Sequence, residues 1–129
     1  MELIRFDNGL KLYDTDIIFG ELQIGEDDLD LDPHRSTKGR LYRNRVNIVP
    51  SIEFTLKPMN QSKMGEIMDA IRPQDFWLEY YDLEKGHWYR AEFYVPSDYR
   101  KPRPLRLNPS IIFDNHELKF IGIDKAVKL

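Results

Sequence analysis

Apolar and polar positions alternate along most of this chain, and the alternation predicts strands. The clearest case is residues 46–57, where Ile52, Phe54 and Leu56 share one face and Ser51, Glu53, Thr55 and Lys57 the other. That is the period of two of a half-buried strand. Pro50 has no N–H to give a ladder, so this part of the strand is expected at an edge or a bulge. Residues 3–6 and 10–13 flank Asp7-Asn8-Gly9, and Asn-Gly supplies the positive φ angles of a tight hairpin turn. Residues 17–24 read as a further strand with a bend at Gly20. A long hairpin is expected over 76–81 and 87–95, turning at Asp82-Leu83-Glu84-Lys85-Gly86. Rings fall on both of its faces, so one set enters the core and the other meets the helix or a neighbouring subunit. Residues 111–113 and 118–123 predict a last hairpin around Asp114-Asn115, with Leu118 and Phe120 inward. Val127 and Leu129 are expected to let the C-terminus pack.

One stretch changes period. Met64, Ile67, Met68 and Ile71 recur at i, i+3, i+4 and i+7, which predicts a helix over about residues 61–72 with one apolar stripe. Asn60 or Ser62 can cap its start, and Pro73 stops it. A helix this short needs a sheet to lie on. The expected core therefore joins Met64, Ile67, Met68 and Ile71 to Ile52, Phe54, Leu56 and Phe93.

Residues 26–45 break the alternation with charge. Glu26-Asp27-Asp28-Leu29-Asp30-Leu31-Asp32 holds five acids and no base, and residues 34–45 hold five bases and no acid. Lying between patterned strands, the segment reads as a long charged arm reaching out of the body, although a solvated loop has the same composition. Loops of this length are commonly functional or disordered. Complementary charge on one arm favours head-to-tail contact between copies and sets register more than affinity. A second basic stretch, Arg100-Lys101-Pro102-Arg103-Pro104-Leu105-Arg106, reads as an extended exposed loop within an irregular stretch 97–109. The expected subunit interface is Asp28, Asp30, Asp32, Arg35, Lys38, Arg40, Arg43, Arg45, Arg100, Lys101 and Arg103.

With 129 residues the chain has the size of one domain, 1–129, and 41% hydrophobic residues suffice for one core. Charged residues reach 32%, above the usual quarter, which implies a large hydrated or interfacial surface. A net charge of −3 does not favour bulk binding to nucleic acid. The absence of cysteine excludes disulfides, thiol catalysis and cysteine zinc sites. Residues 1–6 lack the apolar core of a secretory leader, and no apolar run reaches membrane-helix length. A soluble chain without membrane partners is expected.

Chemistry is sparse. Asp28, Asp30 and Asp32 have the spacing of a calcium loop, but Pro33 and Gly39 stand where its glycine and bidentate Glu belong. His34, His87 and His116 fall in separate segments, without metal-ligand spacing. No phosphate loop, dinucleotide fingerprint, nucleophile elbow or zinc-protease motif occurs. Glu79 and Glu92 could form a carboxylate dyad across adjacent strands, but ordinary sheet-surface ion pairs, such as Glu79 with Arg90 or Arg90 and Glu92 with the residues opposite them, are the simpler expectation. No enzyme activity and no cofactor are expected. Basic loops with Tyr42 and Tyr99 interleaved leave one alternative, an OB-like single-strand nucleic-acid binding module. The acidic run beside the first basic patch opposes it.

Residues 35–46, the Ile52-Glu53-Phe54 strand, the helix ending at Ala70-Ile71, Phe76-Trp77-Leu78-Glu79-Tyr80-Tyr81-Asp82 and Ala91-Glu92-Phe93-Tyr94-Val95 form one pattern. It resembles a family of small tail-module proteins of tailed bacteriophages and prophages, over roughly residues 35–104. The order of elements is also similar to the phage tail-tube and tail-hub fold. The resemblance implies an α+β, mostly β chain: an antiparallel β-sandwich or half-barrel of about seven to eight strands, with one flanking helix and the charged arm. It further implies a structural virion component of tube, hub or baseplate, made in the bacterial host cytoplasm. Such a component would form a homo-oligomeric ring, with a hexamer expected, and would contact other phage tail proteins.

Overall fold

The Asn8-Gly9 turn joins β1 (Glu2–Phe6) to β2 (Lys11–Tyr13) as the sequence predicts. Gly9 takes φ +93°, and the Asn8 side chain accepts a hydrogen bond from the Leu10 amide at 3.0 Å. This hairpin begins an antiparallel sheet in a computed structural model that describes residues 1–30 and 45–129. The other strands of the sheet are β3 (Gln23–Asp30), β4 (Arg45–Leu56), β6 (Phe76–Asp82), β7 (His87–Tyr94), β10 (His116–Gly122) and β11 (Val127–Lys128). Their spatial order is β2-β1-β6-β7-β10-β4-β3, with β11 also on β7. A second, small sheet runs β5 (Met59–Asn60), β9 (Ile112–Phe113), β8 (Pro104–Arg106). Helix α1 (Gln61–Ile71) follows β5 directly, and its Asn60 cap accepts from the Lys63 amide at 2.9 Å. The chain is α+β and mostly β.

The sheet must curl. Flat, it would hold β2 and β4 five strand spacings apart, about 24 Å. Yet Ile17 bridges Leu56 of β4, only four residues after Tyr13, and four extended residues reach no more than about 14 Å. Hydrogen bonds from Ile18 N to Thr55 O (2.9 Å) and from Lys57 N to Asp16 O (3.0 Å) fasten this closure. The result is a half-barrel. Its inner residues join Met64, Ile67, Met68, Ala70 and Ile71 of α1 in one buried cluster. Phe120 of β10 is fully buried at the centre, and its ring lies 5.5–6.1 Å from those of Phe6, Phe54, Phe76 and Phe93.

Four sequence expectations are corrected. Residues 17–24 are not one strand: after the Ile17 bridge comes a 3-10 turn over Phe19–Glu21, and strand resumes at Gln23. Residues 111–113 and 118–123 form no hairpin. Ile112–Phe113 pairs with β5 and β8, while β10 inserts between β4 and β7. Asp114, at the supposed turn, donates its amide to Arg103 O at 2.9 Å. Leu118 and Phe120 gain far more burial opposite Phe54 and Ile52 than a lone hairpin provides. The irregular stretch 97–109 contains a 3-10 turn, Ser97–Arg100, and the strand β8. The arm's first residues, to Asp30, are strand rather than loop.

Pro50 lies inside the sheet order, but where its missing N–H costs least. The β4–β10 ladder ends at Ser51↔Ile121, and the next β10 residue, Gly122, pairs with Phe93 of β7 instead. Pro50 ring and carbonyl atoms stand 2.6 Å from where a Cβ on Gly122 would be. Substituting Gly122→Ala forces backbone and a rigid ring apart, and chemical denaturation should show a loss of about 1–3 kcal/mol. Gly65, on the exposed face of α1, has open space at its Cβ position. Gly65→Ala should add about 1 kcal/mol and raise the melting temperature by roughly 2–6 °C. Both shifts are read in one thermal and denaturant series.

Candidate functional site

The charged arm is rooted in a hairpin that leaves the body. β3 pairs with β4 from Gln23↔Glu53 to Asp30↔Arg45, whereas β10 accompanies β4 only as far as Ser51. Residues 45–50 of β4 therefore have β3 as their neighbour and extend past the β10 ladder. Asp28 and Asp30 lie on β3, and Arg45 opens β4 as the register partner of Asp30. An acid of the first half and a base of the second thus stand opposite each other across the described strand pair. Asp32, Arg35, Lys38, Arg40 and Arg43 fall outside the described residues. At the root, Lys85 in the β6–β7 turn donates to the Glu26 carboxylate and sits 5.3 Å from the Tyr89 ring centroid. Glu26 holds the Lys85 ammonium above its ordinary pKa. Burial, then the nearby Asp82 and Glu26 carboxylates, push the Tyr80 phenol well above its usual range.

The second basic stretch lies elsewhere on the surface, by the small sheet. Arg100 ends the 3-10 turn and donates to the Arg72 carbonyl at 3.3 Å. Lys101 is exposed. Arg103 stands 3.7 Å from Asp114, and Arg106 reaches Ser110 Oγ at 3.5 Å. Lys101 and Arg103 line a polar groove of about 560 Å³ opposite Glu21, Asp98 and Glu117. His116, buried under its rim, bonds the Tyr99 carbonyl. No described contact joins this stretch to the hairpin arm of the same chain.

Sequence reading missed how the outward rings of the β6–β7 hairpin are occupied. Trp77, Tyr81 and Trp88 alternate with the buried Leu78, Tyr80, Ala91 and Phe93. They are covered by arginines: Arg5 stacks 4.0 Å over Trp88, and Arg90 stands 5.2 Å over Trp77. Arg5 also pairs with Glu2 at 2.6 Å and Glu79 at 3.7 Å. Arg90 lies opposite Glu79, as expected, but its guanidinium grips Asp7 with two bonds of 2.8 Å. Spacing along one strand could not reveal that, because Asp7 lies in the β1–β2 turn. Glu79 and Glu92 are not register partners: Glu79 faces Arg90 and Glu92 faces Trp77. The described residues hold no cluster of three metal-ligating side chains.

Arg90 holds the Asp7 carboxyl below its ordinary value of 3.8, first through the hydrogen bonds and then through its charge. A depressed pKa contributes stability that is present above the unfolded value and lost as pH falls through the folded one. The Asp7–Arg90 pair therefore adds to an acid limb below about pH 4. The pair is exposed and solvent-screened, so the effect stays below about 1 kcal/mol. Asp7→Asn should lower the melting temperature slightly at pH 7 and flatten its fall between pH 5 and pH 3, measured against wild type.

A family model described as "Family of unknown function (DUF6711)" matches residues 11–122, and the chain belongs to that family. No curated protein and no solved structure matches it.

Proposed function

We propose that this DUF6711 member is a structural, non-enzymatic component of a phage tail, in tube, hub or baseplate, which self-assembles into a ring through its charged arm and sheet edges. The observation that carries the reading is the β3–β4 hairpin, which continues beyond the last β10 partner and bears the acidic run as it leaves the body. Val49 and Pro50 are buried at its root, and the pair runs on past its last β10 partner. Its cost in chain entropy is recovered when it packs on something else. Rings need two different complementary patches on each copy, and this surface offers an acidic one and a basic one. The resemblance of residues 35–104 to phage tail-module proteins supplies the biological setting. The half-barrel with one helix suits the tail-tube and tail-hub order of elements, and such folds place a long hairpin on the neighbouring copy.

Light scattering coupled to size exclusion, across protein concentration and salt, tests this. A large species that dissociates as salt rises is the expected result, because charge contacts at an exposed interface are screened. A monomer under every condition would overturn self-assembly. Reversing Arg40, Arg43 and Arg45 to Glu should leave the circular dichroism of the monomer unchanged and abolish the large species. Normal assembly of that variant would remove the arm from the interface. A nucleic-acid binding module would instead be retained on a polynucleotide column, with binding that weakens steeply with salt.

A further inference from the structure

We infer that assembly joins two particular strands: the β3 edge of one copy adds to the β8 edge of the next. This rests on the self-assembly reading above and specifies its contact. β8 is the outermost strand of the small sheet, and β3 the outermost strand of the large one. Each leaves one side of its backbone without a described strand partner, and such edges invite another strand.

The two edges differ in the ways a selective pair requires. β8 is fully exposed, and Leu105 and Leu107 keep 58% and 64% of their surface in water. A large apolar side chain on an open edge, with a second just past the strand's end, is a hazard unless something covers them. Around them stand Arg100, Lys101, Arg103 and Arg106. None of the described contacts of Arg100, Arg103 and Arg106 is closer than 3.3 Å, and two of the three go to neutral oxygens. They are available for a stronger carboxylate. The β3 edge has the opposite charge: beyond Glu26, which Lys85 already holds, come Asp27, Asp28 and Asp30, with Leu29 between the last two. A basic edge bearing Leu105 and an acidic edge bearing Leu29 complement each other in charge and in pattern.

Geometry restricts the joint. Pro104 has no amide to donate, and the β8–β9 register shifts between Pro104 and Arg106. Such a bulge twists an edge away from indiscriminate pairing. Few backbone bonds are left to form, so charge selects the partner and fixes the register. Because the acidic edge and the basic edge are different patches, the contact is heterologous, and each copy keeps one of each free for the next. The occupant of β8 is therefore a second copy of this chain.

Charge exchange between full-length chains tests it. One variant carries Arg103→Glu with Arg106→Glu, and the other Asp27→Lys with Asp28→Lys. Each alone should remain monomeric, with the protein concentration for half-assembly raised more than about tenfold, because like charges then face each other. An equimolar mixture should regain the wild-type mass, since unlike copies now alternate. The chain has no cysteine, so Asp27→Cys in one chain and Arg106→Cys in another give a clean second readout. Oxidation should produce a disulfide-linked dimer from the mixture and not from either chain alone. If wild type assembles and both reversed variants assemble equally well, or the mixture stays monomeric, the edge pairing is wrong while self-assembly stands. If wild type never assembles, the self-assembly reading itself fails.

Discussion

The structure depends on curling one antiparallel sheet until its far strands touch the same ring. Phe6 and Phe120 sit on strands three positions apart in the sheet, about 14 Å on a flat surface, yet their ring centroids are 6.1 Å apart. Phe54, Phe76 and Phe93 close on the same centre. An aromatic cluster of this kind adds edge-to-face attraction to a large buried apolar area. Curling also brings Ile17 to Leu56, which turns a long open sheet into a half-barrel with α1 across its open side. Everything outside this closure is surface: the β3–β4 hairpin, the small sheet with β8, and the stacked Trp–Arg face.

These three surfaces are not equivalent. The outward tryptophans are answered within the chain, by Arg5 and Arg90, and those arginines by Glu2, Glu79 and Asp7. That face is largely paired within the chain, although Trp77 keeps 41% of its surface in water. The β3 and β8 edges are in the opposite condition: neither has a described strand partner on its outer side, acids dominate one and bases the other, and Leu105 and Leu107 keep more than half of their surface in water. The contrast separates a face that stabilises the fold from edges suited to contact with other molecules.

The core was readable from the sequence because its signal is local. Met64, Ile67, Met68, Ile71, Ile52, Phe54, Leu56 and Phe93 are all buried, as their periodicities require. The Asn60 cap and the Gly9 turn were equally legible, since each depends on two or three adjacent residues. What could not be read was pairing at a distance. Asp114-Asn115 looks like a hairpin turn, but its flanking strands belong to different sheets, a choice made by Phe54 and Ile52 some sixty residues earlier. Arg90 bonds Asp7, 83 residues away along the chain, rather than its cross-strand neighbour Glu79, for the same reason. Of the candidate interface, the sequence revealed the charges and their signs. It did not reveal that Asp30 and Arg45 are register partners, or that Leu105 lies on an open edge.

The position of β10 has a consequence for synthesis. In chain order it comes near the end, but in space it lies between β7 and β4, and it carries Phe120. Until it is available, β2-β1-β6-β7 and β4-β3 are linked by the Ile17–Leu56 closure and by α1, but the two edges that flank β10 stay unpaired and the centre stays unfilled. Long-range pairing of this kind is slow and exposes aggregation-prone edges while it waits. β7 is complete at Tyr94 and β10 begins at His116, so synthesis of the residues between them sets how long those two edges wait for their common partner.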